Sequence, residues 1–146
     1  MKPLPHRYSV RAVSAGAGAL ELQSAGVPPL QSAAPAEFGG PGDLWSPETL
    51  LVGAVADCLI LTFRAVARAG KLDWQSLECE TEGTLERVDG VMSFTRFANR
   101  ATLTVPPGTD AAKAQDLLER SERGCLVANS LKGERTLQVT IVEASG

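Results

Sequence analysis

The sequence predicts an α+β domain in which a curved antiparallel sheet wraps one long central helix. Three features point to this class. Residues 46–70 are apolar on nearly all sides and carry helix signals at both ends, segments of alternating polarity occur on both sides of that stretch, and an amphipathic helix pattern follows. Strands that come in runs between helices are typical of α+β domains. At 146 residues, the chain 1–146 is expected to form a single domain.

The central helix is predicted to begin after Ser46 and to end at Gly70. Ser46 is a good N-cap, Pro47 suits the first helical position, and Glu48 favours the positive end of the helix dipole. A helix of about 24 residues is roughly 35 Å long. It is apolar on all sides, and one sheet covers only part of such a helix. We therefore expect an intertwined homodimer in which two of these helices pack together.

The segments upstream of the helix contain two short strand patterns. Residues 8–13 and 20–24 alternate in polarity, with a turn of small residues between them. Residues 25–44 contain four prolines and a glycine pair, so this segment is predicted to be a loop or a broken strand that leads to the helix.

A β-hairpin is predicted downstream of the helix, with strands at 77–87 and 91–105 and the turn at Asp89-Gly90. Four glutamates lie on one face of the first strand, which leaves Cys79 on the inner face. A three-residue loop would place Glu78 opposite Arg100 and Glu82 opposite Arg96. These charge pairs favour that register.

The last third of the chain is predicted to contain a second helix and a final strand. Asp110 caps a helix at 111–123, residues 126–131 form one more helical turn, and residues 136–142 alternate like a strand. The inner stripe of the second helix continues directly into Cys125. It consists of Ala114, Leu117, Leu118 and Ser121.

Composition excludes several classes of function. A net charge of −3 argues against a nucleic-acid partner. The first ten residues contain no apolar run, so no secretory signal is predicted. Charged side chains at Asp57, Arg64 and Arg68 interrupt the long helix, which favours a core helix over a membrane span. Three cysteines, an odd number without short paired spacing, argue against a secreted disulfide scaffold, and a cytoplasmic protein is expected.

The candidate chemistry rests on the cysteines. Cys58 lies in the middle of the long helix and Cys125 just after the second helix. Each is either a small buried hydrophobic residue or a reactive thiol, whereas Cys79 is expected to be structural. The lone His6 gives neither a nucleophilic Cys-His pair nor, with the cysteines, a zinc-ligand pattern, and no cofactor or metal is expected. Glu48 is about 15 Å from Cys58 along one helix, so it would have to come from another chain to share a site with it.

Two motifs resemble the OsmC/Ohr family (osmotically inducible protein C and organic hydroperoxide resistance protein). One is FGGPGDLWSPETLLVGAVADC from Phe38 to Cys58, and the other is GCLVANSLK from Gly124 to Lys132. Family members have a glycine-rich approach, an S/N-P-E-x-L helix start, a helix cysteine ten residues after the glutamate, and a second cysteine after the second helix. The resemblance extends from about residue 38 to the end of the chain.

The resemblance implies a thiol peroxidase that acts as an intertwined homodimer in oxidative stress defence. Cys58 would attack an organic hydroperoxide, release the alcohol and become a sulfenic acid. Cys125 would resolve it as a Cys58–Cys125 disulfide, which a dithiol reductant, such as a lipoyl-linked protein, would reduce. Glu48 would anchor the family's active-site arginine. No motif assigns that arginine here, and Arg7 and Arg11 are the arginines upstream of the helix.

A second hypothesis remains open beside the peroxidase. Under it, the chain is a non-catalytic OsmC-like protein that binds an apolar small molecule at the dimer interface. The two hypotheses differ in the reactivity of Cys58 and Cys125 toward organic hydroperoxides.

Overall fold

The computed structural model describes residues 1–145, which divide between Leu50 and Leu51 into two compact units. The α+β class predicted from the sequence is confirmed, since the chain forms two three-stranded sheets, a long helix and two shorter helices.

The first unit contains a small antiparallel sheet of three strands. These are β1 (Arg11–Val13), β2 (Leu20–Gln23) and β3 (Leu30–Ser32), in that order. The first strand is thus shorter than predicted. The proline-rich segment 25–44, predicted to be a loop or a broken strand, contains the short strand β3 and a 3-10 helix at Ala36–Phe38. Strand β3 begins directly after two prolines, which have no N–H to give to a sheet.

The long helix α1 (Pro47–Ala69) matches its predicted bounds. The Thr49 N–H donates to Ser46 Oγ at 3.1 Å, and the Ser46 N–H donates to Thr49 Oγ1 at 2.9 Å. These reciprocal bonds satisfy backbone donors that a helix start leaves free. At the other end, the Gly70 N–H still bonds to the Val66 carbonyl at 2.9 Å, and the chain then turns through Lys71, whose φ is 56°.

Helix α1 buries one stripe of its surface, made by Val55, Leu59, Phe63 and Ala67. By length and composition it is apolar enough to cross a membrane, a test that the core helix of a soluble protein also passes. Only 22% of its most apolar 18-residue stretch is buried. The single chain therefore leaves much of this apolar helix uncovered.

The second unit contains a mixed sheet in the order β4-β5-β6. Its strands are β4 (Ser76–Val88), β5 (Val91–Val105) and β6 (Glu134–Glu143). Strands β4 and β5 form the predicted antiparallel hairpin, whereas β6 runs parallel to β5. The chain reaches β6 by a crossover through α2 (Ala111–Arg123) and α3 (Leu126–Asn129), as parallel pairing requires.

The predicted register of the hairpin is wrong. Asp89 and Gly90 form a two-residue turn with φ values of 52° and 79°, and Val88 pairs with Val91. A register shift between Thr84 and Leu85 then leaves Thr95 unpaired. As a result, Glu78 lies opposite Thr102 and Glu82 opposite Ala98, instead of opposite Arg100 and Arg96. Arg100 instead forms an ion pair with Glu80.

The interior of the second unit has two apolar clusters. The larger cluster joins α1, β5 and α2 through Phe63, Ala67, Ala101, Leu103, Val105, Ala114, Leu117 and Leu118. The smaller cluster is formed by Val55, Phe97, Cys125 and Ala128, with Cys58 and Val127 packed against it. Both candidate reactive cysteines therefore belong to the smaller cluster.

Candidate active site

Helix α1 and the turn between α2 and α3 bring Cys58 and Cys125 together. Cys58 packs against the apolar cluster that contains Cys125, and each thiol is near enough to act on the pKa of the other. Cys58 is partly exposed, whereas Cys125 is only 1% exposed, and neither forms a disulfide. The Cys125 thiol also faces the Val55 carbonyl on α1 at 4.0 Å. The arrangement thus places a solvent-accessible thiol over a buried one.

The surroundings of Cys58 favour its thiolate form. Burial raises the pKa of this thiol, but hydrogen bonds from the Val127 N–H, the Cys125 thiol, the Thr62 hydroxyl and the Leu126 N–H more than offset that effect and lower the pKa below its ordinary value. The Thr62 hydroxyl lies 3.8 Å from Cys58 Sγ, one helical turn further along α1. A thiolate is the nucleophilic form of cysteine, so the lowered pKa makes Cys58 the candidate nucleophile of the two thiols.

The surroundings of Cys125 favour its protonated form. Burial is the largest cause that raises the pKa of its thiol, and the hydrogen bond and charge of Cys58 raise it further. A hydrogen bond from the Ala128 backbone and the charge of Arg135 act against this rise. As the pH rises, the Cys58 thiol is therefore expected to ionise before the Cys125 thiol.

Arg135, in β6, is a cation beside Cys125 that the sequence reasoning did not identify. Its Nε donates to Glu122 Oε1 at 2.7 Å and its Nη1 to Asn129 Oδ1 at 2.6 Å, while its Nη2 donates to the Glu122 carbonyl. The Arg135 and Glu122 side chains are 23% and 17% exposed, so the pair is largely shielded from water. We call Arg135, Glu122 and Asn129 the Arg135 clamp.

Asp57 lies directly before Cys58 on α1. It is exposed, and it is not among the groups that act on the pKa of Cys58. Cys79 lies elsewhere, half-buried on β4 with its sulfur 3.9 Å from Thr81 Oγ1. Its position on the inner strand face is as predicted, and it takes no part in the Cys58–Cys125 arrangement.

Glu48 is not brought to Cys58 by the helix that carries both residues. Ten positions along one α-helix correspond to about 15 Å. One carboxylate oxygen of Glu48, Oε2, is shielded from solvent, and no donor in residues 1–145 reaches it. A buried carboxylate oxygen without a donor is costly, so this atom has the chemistry to accept a hydrogen bond or a cation. Residues 1–145 contain no group of three or more His, Cys, Asp or Glu side chains that would hold a metal ion.

Comparison with known proteins places these features in one family. The model of the OsmC-like protein family matches residues 40–140. An uncharacterized protein from Bacillus subtilis, YmaD, is 29% identical over 108 residues, which are 72% of each chain. Peroxiredoxin OsmC from Escherichia coli is 27% identical over 92 residues, which are 63% of this chain and 64% of that protein.

Solved structures agree with the family match at the level of the fold. An OsmC-like protein of unknown function from Vibrio cholerae has a TM-score of 0.84 at 17% identity and covers 92% of this chain and 99% of its own. An organic hydroperoxide resistance protein OsmC from Legionella pneumophila has a TM-score of 0.74 at 22% identity. The match covers 96% of this chain and 99% of the Legionella chain.

The fold and the cysteine pair together define a class: α+β proteins that carry one thiol on a long central helix and a second thiol on the turn after a shorter helix. Within that class, the chain belongs to the OsmC-like protein family. The resemblance predicted from the two sequence motifs is thereby confirmed.

Proposed function

We propose that this protein is a thiol peroxidase that reduces organic hydroperoxides to alcohols. The observation that carries the proposal is the placement of both cysteines in one small apolar cluster, where the pKa of Cys58 is lowered and the pKa of Cys125 is raised. A peroxidase of this kind needs an accessible thiolate and, within reach, a second thiol that is not already ionised. The name of the relative Peroxiredoxin OsmC supports the same class of reaction.

In the first step, the Cys58 thiolate attacks the terminal oxygen of the hydroperoxide. A sulfur–oxygen bond forms and the oxygen–oxygen bond breaks. The alkoxide leaves with the electron pair and takes a proton from water to become the alcohol. Cys58 is oxidised to a sulfenic acid while the peroxide is reduced. The N–H groups of Val127 and Leu126, which favour the negative charge on Cys58, act before this attack.

In the second step, Cys125 attacks the sulfur of the Cys58 sulfenic acid. A sulfur–sulfur bond forms and the sulfur–oxygen bond breaks, and the leaving hydroxide together with the proton that Cys125 gives up makes water. An external dithiol then reduces the disulfide by thiol–disulfide exchange, and a lipoyl-linked protein is one reductant of that chemical class. An odd number of cysteines without short paired spacing is unlike a secreted disulfide scaffold and supports a cytoplasmic location.

The apolar surroundings of Cys58 support an organic substrate over hydrogen peroxide. Val55, Phe97 and Val127 belong to the cluster that holds the cysteine pair. The free energy falls when an apolar organic group leaves water for such a surface.

We further propose that the active unit is a homodimer and that Glu48 takes part in the site of a second copy. Helix α1 leaves much of its apolar surface uncovered in the single chain, and it separates Glu48 from Cys58 by about 15 Å. Packing of two α1 helices would cover that surface. It would also allow Glu48 of one copy to approach Cys58 of the other.

The test is a pulse of one equivalent of cumene hydroperoxide followed by peptide-resolved thiol counting. We expect the wild type to lose two of its three free thiols as a Cys58–Cys125 disulfide. The Cys125→Ser variant should accumulate a sulfenic acid on Cys58 that a dimedone probe traps, and the Cys58→Ser variant should keep its thiols.

The matched control is Cys79→Ser, which removes the remaining cysteine and should behave like the wild type. Unchanged thiols in the wild type after prolonged exposure would contradict the proposed peroxidase. A disulfide that involves Cys79 would contradict the assigned roles.

A further inference from the structure

The residues on both sides of Cys125 are linked by hydrogen bonds to one side chain, Arg135. Glu122 lies three residues before it, at the end of α2, and Asn129 lies four residues after it, at the end of α3. Arg135 binds both, through Nε and Nη2 to Glu122 and through Nη1 to Asn129. All three guanidinium nitrogens are therefore used to close the turn that carries Cys125.

The same turn is tied by backbone hydrogen bonds that share acceptors with the clamp. The Glu122 carbonyl accepts the Cys125 N–H at 3.3 Å as well as the Arg135 Nη2. The Cys125 carbonyl accepts the Asn129 N–H at 2.9 Å, and the Asn129 side chain donates to the Arg123 carbonyl at 3.1 Å. Movement of Arg135 would thus loosen both ends of the turn and the position of the Cys125 sulfur.

We propose that Arg135 is the positioning residue for the resolving step, which holds Cys125 against Cys58 and keeps a positive charge beside the attacking sulfur. The inference rests on the proposed peroxidase function. The role assigned to Arg135 concerns disulfide formation, the step that follows the attack on the hydroperoxide.

The charges around Cys125 indicate that Arg135 acts on it mainly after Cys58 has been oxidised. The groups that act on Cys125 by charge are Cys58 from α1 and Arg135 from β6, and Glu122 on α2 is paired with Arg135. While Cys58 is a thiolate, its negative charge opposes ionisation of Cys125. Once Cys58 is a neutral sulfenic acid, that opposition ends and the charge of Arg135 remains. Cys125 then gives up its proton to water more readily and attacks as a thiolate.

The first experiment measures the resolving step. After a pulse of one equivalent of cumene hydroperoxide, the lifetime of the Cys58 sulfenic acid is followed by rapid quenching with a dimedone probe. We expect Arg135→Gln to form the sulfenic acid and then to convert it to the disulfide about tenfold more slowly than the wild type, or worse. A misplacement of 1 Å in a reacting group can cost on the order of 10²-fold.

Three further variants separate position from charge. Arg135→Lys keeps the charge but lacks the fork that binds two partners, and Asn129→Ala removes one arm of the clamp. Both should slow disulfide formation. Arg123→Gln is the matched control, because Arg123 is an exposed cation two residues from Cys125 whose side chain takes no part in the clamp, and it should resolve at the wild-type rate.

The second experiment does not depend on peroxidase activity. In a Cys58→Ser, Cys79→Ser background, Cys125 is the only thiol, and the far-ultraviolet absorbance of its thiolate is titrated against pH. Loss of the positive charge in Arg135→Gln should move the midpoint to higher pH, whereas Arg135→Lys should keep it nearer the parent value. A purely structural Arg135 would not produce this difference between Gln and Lys.

The outcomes separate the two proposals. If the wild type does not react with hydroperoxide, the proposed function fails, and the titration still decides the influence of Arg135 on Cys125. If the wild type forms the disulfide and Arg135→Gln resolves as fast with an unchanged midpoint, the role of Arg135 is overturned. If Arg135→Gln does not fold, Asn129→Ala and Arg135→Lys decide, and wild-type resolution rates in both would overturn the positioning role.

Discussion

At the residue scale, the proposed reactivity of Cys58 depends on hydrogen bonds that favour its thiolate. Thr62 is the donor that can be removed with the least disturbance, because valine has nearly the same shape without the hydroxyl. Loss of a donor to the charged form raises the pKa of Cys58, so the pH profile of its reaction with cumene hydroperoxide should shift to higher pH in Thr62→Val. The wild-type rate should rise with pH and reach its plateau below the pH at which an ordinary cysteine does so.

The matched control for this shift is Thr62→Ser, which keeps a hydroxyl at the same position. Stopped-flow measurement of sulfenic acid formation across the pH range checks the prediction. Equal midpoints in Thr62→Val and Thr62→Ser would show that the hydroxyl 3.8 Å from Cys58 Sγ does not stabilise the thiolate.

The sequence was informative about the two cysteines and uninformative about the cation beside them. Cys58 and Cys125 carry recognisable contexts, namely a helix start ten residues upstream and a glycine directly before the second cysteine. Arg135 has no such signal. It reaches Cys125 only because β6 returns parallel to β5, with Arg135 in register with Phe97, and this tertiary pairing leaves no local pattern. Arg7 and Arg11, considered from the sequence, lie in the first unit on or before β1.

At the element scale, β4 approaches α1 closely at Gly83. A Cβ added there would lie 2.6 Å from Val52 Cγ2 and 3.0 Å from Phe94 Cε1. Gly83→Ala must therefore displace the helix or the Phe94 ring, and overpacking of this kind costs about 1–3 kcal/mol. We expect a lower urea midpoint at equal protein concentration, with an unchanged slope.

Gly16→Ala is the matched control for Gly83→Ala. Gly16 has open space around the added Cβ and no positive φ, so the same change in composition should leave the free energy of unfolding within about 1 kcal/mol of the wild type. Equal midpoints for the two variants would contradict close packing between β4 and α1.

Local patterns predicted most elements, whereas long-range pairing accounts for the errors. The caps at Ser46 and Asp110 fixed the starts of α1 and α2, because each side chain accepts a backbone N–H. The predicted hairpin register was wrong because pairing of the charges assumed an uninterrupted ladder of hydrogen bonds between β4 and β5. The bulge at Thr95 absorbs one residue, which keeps the acidic face of β4 outside while retaining the favoured two-residue turn.

At the scale of the whole molecule, the uncovered face of α1 is the main feature that a single chain does not explain. The buried stripe Val55, Leu59, Phe63 and Ala67 faces the interior, whereas Leu61 is 52% exposed and Ala65 is exposed as well. Burial of leucine side chains away from water lowers the free energy, and a second α1 would provide the matching apolar surface.

Leu61→Asp is therefore expected to weaken the proposed homodimer, because it would place a carboxylate in an apolar contact. Sedimentation velocity should give the wild type twice the 15.3 kDa mass of one chain and the variant a mass that approaches one chain on dilution. Ala112→Asp, on the exposed face of α2, is the matched control and should sediment like the wild type.

Because Glu48 would reach Cys58 only from a second copy, the monomeric variant should also lose its fast reaction with cumene hydroperoxide. A wild type that sediments as a single chain at every concentration, yet reacts at full rate, would rule out both the dimer and the role of Glu48.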